Sequence, residues 1–438
     1  MSDSDADKSE GRRLIDTLRD INRDADKGRE PAFLPARDGR RQVSISALVE
    51  RIIDQFIAEH GERESDAVQR AVTTTERIKL VKAVAEYVIA LESIQVSDAQ
   101  KARIIRRVYA EMFAYGALDD LINDPQITTI TIEGADKVAI RRGHGELKPA
   151  QPLFDDEAHL KRIIRRLLED AGASLRPDVP MIETGLMIDG RRVSLNAVLP
   201  PATVLISADL RLHPPEPPTL DALAEDWAMP PAALDLLRRI AASSHGVVIV
   251  GEAESGKTTL TGALLSHVGG RVMSVERAGE LALPPEASRL LVRWPVGDVD
   301  GRGFDQLVAE ALSAAPDVLV LDEVRADEAQ AIAPLLTAEE TPRQIWSFRG
   351  GVDHKRLAAS LGMLARRAAP SAGESAVRAL YRRLPFVVTV RRRHERLMLH
   401  SIAEWQFPPS AEYPDFVALM AMGADGITAT GNQPSRAL

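Results

Sequence analysis

The stretch VIVGEAESGKTTLTGALL, residues 248–265, restricts this chain more than any other. The apolar, β-branched run VVIV (247–250) predicts a buried strand, and TTLTGALLSHV after it has apolar residues at helical spacing. Between them Gly251, Gly256, Lys257 and Thr258 match the phosphate-binding pattern G-x-x-x-x-G-K-[ST], in the strand–loop–helix order the pattern requires. The two glycines open backbone conformations closed to other residues and let an anion approach closely. Successive N–H groups then cradle phosphate oxygens at the positive end of the following helix, with Ser255 and Thr259 flanking the key residues. In this arrangement Lys257 reaches the outer phosphates and the Thr258 hydroxyl ligates magnesium.

A second segment supports the first. APDVLVLDEVR, residues 315–325, reads as an apolar strand ending in Asp322 and Glu323. Paired carboxylates at a strand end beside a phosphate loop suit magnesium-assisted phosphoryl chemistry: Asp322 to hold the metal, Glu323 to polarise the attacking water. ATP and magnesium are therefore the expected ligands, with Lys257 and Glu323 as catalytic candidates.

Composition narrows the function. The net charge of −9 argues against general nucleic-acid binding, and the basic runs RRVYAEM and VRRRHER read as local patches or, more commonly, as solvated faces. There is no cysteine, so disulfides and thiol nucleophiles are excluded. The opening MSDSDADKSEGRR lacks the apolar core of a signal peptide, and no run of 18 apolar residues exists, so membrane contact is expected to be peripheral.

The chain divides by pattern. Residues 1–42 read as a disordered tail. Residues 43–113 read as a helical region, with Ile45, Leu48, Ile52, Ile53 and Phe56 on one helix face and Ile78, Val81, Val84, Ala85 and Val88 on another. Residues 114–213 alternate as strands around the amphipathic DDEAHLKRIIRRLLEDAG and predict a small α+β domain. A Pro-rich linker is expected at 214–222, an α/β domain with a mostly parallel sheet at 223–405, and a loosely held tail at 406–438.

With these segments in order, the chain resembles the type II/IV secretion ATPases, and within them the CpaF-type ATPases of Tad pilus assembly. GALDDLINDPQITTITIEGADKVAIRR is similar to the opening of that family's N-terminal domain, and GLMIDGRRVSLNAVLPP to its D-G-x-R-V-N-A-V-I-P-P block. VMSVERAGELALP lies where the family has its acidic box I-E-D-x-x-E-L-x-L, and LDEVRADEAQ where it has G-E-V-R-G-x-E-A.

The resemblance implies a RecA-like ATPase domain, ATP bound between the two domains, a homohexameric ring, and an inner-membrane platform protein as partner. It places the chain in the cytoplasm, peripheral to the inner membrane, with no specific nucleic-acid partner. It adds Glu276 of the acidic box as a catalytic candidate, Arg192 and Arg211 over the nucleotide phosphates, and Arg349 in the place of a histidine near the γ-phosphate.

Several positions depart from the family's pattern. Arg277 replaces an aspartate of the acidic box, Ser313 and Ala315 replace two arginines, and Gly185 replaces a third. Glu252 and Glu254 stand in the phosphate loop, where extra carboxylates would repel a triphosphate unless they point to solvent. Two expectations follow: a motor that still hydrolyses ATP, or a ring component that binds nucleotide without turnover.

Overall fold

A computed structural model of the chain describes residues 33–35, 42–61, 65–151, 153–174, 176, 178–326, 328–408, 411–424 and 426–438. It resolves into two compact units, 1–123 and 124–438.

The first unit pairs strands β1 (Phe33–Pro35) and β2 (Gln42–Ser44) antiparallel and continues into helices α1 (Ile45–His60), α2 (Asp66–Arg70), α3 (Thr74–Leu91), α4 (Asp98–Phe113) and α5 (Leu118–Asn123). Each long helix starts at a side-chain cap: Ser44 for α1, and capping boxes Thr73–Glu76 and Ser97–Gln100 for α3 and α4. Such caps satisfy N–H groups that the helix itself leaves unpaired. Leu48, Ile52, Phe56, Val81, Val84, Ile104 and Val108 form the core.

The expected disordered tail needs one correction. Phe33–Pro35 is a strand, held because Leu34 is buried in the same core. The remainder of 1–41 lies outside the described residues. The unit boundary falls at 123/124 rather than 113/114, since α5 belongs with the helices.

The second unit opens with strands β3 (Ile127–Glu133), β4 (Val138–Arg142) and β5 (Lys148–Pro149), helix α6 (Glu157–Asp170), then β6 (Met181–Ile188), β7 (Arg191–Val198) and β8 (Ser207–Leu212). These strands form a six-stranded antiparallel sheet in the order β5-β4-β3-β8-β7-β6. Helix α6 buries Leu160, Ile163, Ile164, Leu167 and Leu168, the stripe its sequence predicts.

Helices α7 (Leu220–Asp226) and α8 (Pro231–Ala242) lead into β9 (Val247–Gly251) and α9 (Lys257–Leu265). Then follow β10 (Val272–Glu276), β11 (Ser288–Leu291), α10 (Phe304–Ser313), β12 (Val318–Val324), α11 (Ala329–Thr337), β13 (Arg343–Arg349), α12 (His354–Ala368) and α13 (Glu374–Arg383). The chain closes with β14 (Phe386–Arg393), β15 (Arg396–Gln406), β16 (Asp415–Met422) and β17 (Ile427–Ala429).

One nine-stranded sheet takes β9 to β17 in the order β11-β10-β12-β13-β9-β14-β15-β16-β17. It is parallel from β11 to β14 and antiparallel beyond. The expected α/β class, with a mostly parallel sheet preceded by an α+β portion and a helical region, is what the chain forms.

Strand β9 is buried throughout because both faces are covered. Val247 and Ile249 pack into one core with α7, α8 and α9, while Val248 and Val250 pack into the other with α10 to α13.

Two boundaries differ from expectation. Thr219 caps α7 at Ala222, so the extended segment ends before Leu220 instead of running to 222. The segment 406–438 is not a loose tail: β16 and β17 extend the main sheet, with Leu419, Met420 and Ile427 in its core. Beyond them Ser435 and Arg436 bind the fully buried Glu404. Among the described residues no helix is long and apolar enough to cross a membrane.

Candidate nucleotide site

The phosphate loop joins β9 to α9 as the sequence predicts. Gly256 begins the helix with a φ of 91°, and a Cβ on Gly251 would stand 2.2 Å from Ser255 Oγ. Both positions therefore need glycine for physical reasons. Lys257 is only 7% exposed, and its Nζ donates to the Glu252 carbonyl at 2.8 Å. Burial lowers the Lys257 pKa, and Glu323 and Asp322 pull part of that shift back.

The loop faces a cleft of about 180 Å³ lined by Ser255, Gly256, Lys257, Thr258 and Thr259 on one side. Arg141 and Arg211 of the antiparallel sheet and His213, just past the end of β8, close it, with Glu280, Glu323, Ser347 and Arg392 completing the wall.

Asp322 and Glu323 sit at an irregularity in the β12–β13 pairing between Leu321 and Val324. Such a break re-aims side chains at a strand end. Glu323 has a φ of 57°, an uncommon conformation for a residue with a Cβ. Its backbone is held from both sides: the N–H donates to Ser347 Oγ at 2.6 Å, and the carbonyl accepts from Arg277 at 3.2 Å. Ser347 in turn donates to Asp322 Oδ1 at 2.8 Å. Asp322 does not itself line the cleft; it is bonded to Ser347, which does. Burial, with Glu276, Glu280 and Glu323 nearby, holds the Asp322 carboxyl well above the usual range.

The other expected residues divide. Arg211 lines the cleft 3.9 Å from Glu280. Burial opposes its charge, but Glu280, Glu254, Glu323 and Glu183 overcome that and raise its pKa. Glu276 is not in the cleft. It is fully buried beneath it, accepting from Ser274 Oγ at 2.6 Å, Arg289 Nε at 2.8 Å and the Leu281 N–H at 3.0 Å. Its lone pairs are spent on structure.

Arg192 and Arg349 also lie off the cleft lining. Arg192 is half-buried on β7 beside Arg289 and Glu276, and its pKa falls with burial. Arg349 stands exposed at the end of β13, past the last buried residue Phe348.

The structure adds residues the sequence reading passed over. Glu280, four positions after Glu276 in the same acidic segment, is the carboxylate that faces the loop. Burial alone would raise its pKa, yet His213, Arg211, Ser194 and Lys257 together lower it. Arg392 comes from the run VRRRHER, which is therefore not only a solvated face. Glu254 does not repel its surroundings, because Arg141 and Arg392 pair with it.

The residues fit a phosphate chain and magnesium. Ser255 Oγ is buried with no hydrogen-bond partner among the described residues, and Lys257 brings a desolvated cation beside it. No group of three or more His, Asp or Glu among the described residues could hold a metal alone. Magnesium needs no such cage: one or two protein oxygens plus phosphates suffice, and Thr258 and Asp322 are the residues that would hold it.

A putative conjugal transfer protein of Mycobacterium tuberculosis is 34% identical over 254 residues, covering 56% of this chain and 70% of that protein. The VirB11 ATPase of the Brucella suis type IV secretion system, solved with sulphate, is 20% identical with a TM-score of 0.33, covering 67% of this chain and 96% of its own. The ATPase DotB of Legionella pneumophila is 17% identical with a TM-score of 0.47, covering 67% and 81%. The model of the Type II/IV secretion system protein family matches residues 114–342, more than half of the 438 residues, and the chain belongs to that family.

Proposed function

We propose that this chain is the ATP-hydrolysing motor of a pilus or secretion machine, of the Tad assembly kind. The observation that carries the reading is the meeting of Lys257, Thr258, Arg211 and Glu323 in one cleft. The loop N–H groups and Lys257 would bind the phosphates, and Arg211 would face them from the antiparallel sheet. Glu323, held in its strained conformation by Ser347 and Arg277, would orient the attacking water and accept its proton. Thr258, with Asp322 behind Ser347, would hold magnesium, whose charge would offset that of the phosphates.

Because the cleft lies between the antiparallel sheet and the phosphate loop, the nucleotide's phosphate count would set how the two layers are held. In a homohexamer that difference would pass to an inner-membrane platform protein, with membrane contact indirect. A second reading, nucleotide binding without turnover, is favoured by two observations: Glu276 is committed to Arg289, and Arg349 is not among the residues lining the cleft.

Phosphate release from the purified chain with magnesium and ATP separates the two. Turnover lost in both Lys257→Ala and Glu323→Gln supports the motor. ATP binding with no release of phosphate supports the second reading, and ATP binding equal in wild type and Lys257→Ala overturns both.

A further inference from the structure

The mouth of the phosphate loop carries an ion-pair set that the proposed chemistry leaves unused. Glu254 holds a φ of 58°, where a Cβ is disfavoured, so its carboxylate is placed at a local cost. It pairs with Arg141 of β4 and lies 3.6 Å from Arg392 of β14. Arg392 is anchored in turn by the Gly145 carbonyl at 2.7 Å. Two guanidinium groups thus share one carboxylate. The Arg141 side chain is 12% exposed, and its buried Nε has no hydrogen-bond partner among the described residues.

Both arginines line the same cleft as Lys257, Thr258 and Thr259. A guanidinium presents a planar fork of donors that matches a phosphate as well as a carboxylate. Glu395 also acts on Arg392, but the buried Arg141 Nε stays without an acceptor, which is the deficit a phosphate chain fills.

We infer that Arg141 and Arg392 are phosphate-contacting residues of the nucleotide site, and that Glu254 occupies them until a nucleotide's phosphates take its place. This rests on the phosphate-loop reading above and deepens it by naming an internal competitor. The exchange is one of ion pairs, with no covalent step. The carboxylate acts on affinity in proportion to ligand charge: the more phosphates a nucleotide brings, the more it gains when Glu254 is removed. An ion pair that merely held the sheet against the loop would behave oppositely, since breaking it would loosen the cleft and weaken every nucleotide.

The test titrates ATP, ADP and AMP, with magnesium, into the full chain and its variants. Glycine is at ease at a positive φ, so Glu254→Gly removes the carboxylate without straining the loop, and Glu254→Gln keeps its shape as a second check. Both are expected to tighten ATP about three- to tenfold, ADP less and AMP little. Arg141→Met is expected to weaken ATP and to shrink the gain that Glu254→Gly brings when the two are combined.

Unchanged or weaker ATP binding in both Glu254 variants overturns the inference, as does an equal gain for all three nucleotides. Lys257→Ala serves as the separating control. If it binds ATP like the wild type, the phosphate-loop reading fails and takes the inference with it. If it loses binding while the Glu254 variants bind no better than wild type, the inference alone fails.

Discussion

The carbonyl oxygen of Ala278 lies 1.7 Å from the point where a Cβ on Gly185 would stand. Strand β6 therefore presses against the acidic segment backbone to backbone, and no side chain fits between. The arginine that family resemblance leads one to expect at 185 has no room here, while Arg277, one residue before Ala278, brings a guanidinium into the same region. Gly185→Ala must push either the strand or the loop aside. Because the obstacle is backbone, the cost is expected to be at the upper end of overpacking, about 3 kcal/mol. A lowered thermal midpoint of unfolding checks it, and an unchanged midpoint would show that the loop yields.

Ser347 bridges two residues of the proposed chemistry, accepting from the Glu323 N–H and donating to Asp322. Ser347→Ala leaves the Glu323 N–H without its acceptor and the Asp322 carboxylate without its donor, both bonds running to β12 and neither to the phosphate loop. Turnover is expected to fall about 10- to 100-fold, as for other partners one step removed from a metal site. The ATP dissociation constant is expected to hold within a few-fold. Equal losses in binding and turnover would contradict the positioning role.

Glu276 and Arg289 form an ion pair whose carboxylate is fully buried. Glu276→Ala takes the carboxylate from Arg289, which among the described residues keeps only its bond to the Leu281 carbonyl, and frees the Ser274 hydroxyl and the Leu281 N–H. Breaking a buried pair from one side costs about 3 kcal/mol or more. The expected outcome is a destabilised chain rather than a folded enzyme with one missing catalytic step. Circular dichroism melts beside turnover at low temperature distinguish the two.

How much of this was legible depended on whether a residue acts through its neighbours in sequence or across the sheet. The phosphate loop was legible because strand, glycines and helix follow one another, and the caps at Ser44, Thr73 and Ser97 because capping is local. Glu323 was legible as the polar end of an apolar strand. Glu276 and Glu280 were not separable by pattern, since both are carboxylates in one short segment. Only the turn after β10 buries the first under Arg289 and aims the second at Lys257 and His213. Arg141 and Arg392 could not be paired with Glu254 from sequence, because more than 100 residues separate each from the loop. Strands β16 and β17 were missed because their apolar residues are interrupted by Pro- and Gly-bearing connections that look like a tail when unpaired.

His213 lines the cleft, and burial lowers its pKa below the ordinary 6.5; Arg192, Arg211 and Arg191 add to this, while Glu280 opposes it. Burial also lowers His245 and His400. In each case the unfolded chain takes up a proton at a higher pH than the folded one. Below the unfolded value the unfolded state binds more protons, so stability is fully present above about pH 6.5 and is lost as pH falls toward the folded values. Thermal midpoints measured from pH 7.5 down to 5.5 are expected to decline, and His213→Gln, which cannot take up the proton, is expected to flatten part of that slope. A midpoint that rises on acidification, or a His213→Gln profile parallel to wild type, would show that the His213 ring is protonated in the fold, drawn up by Glu280 at 3.9 Å.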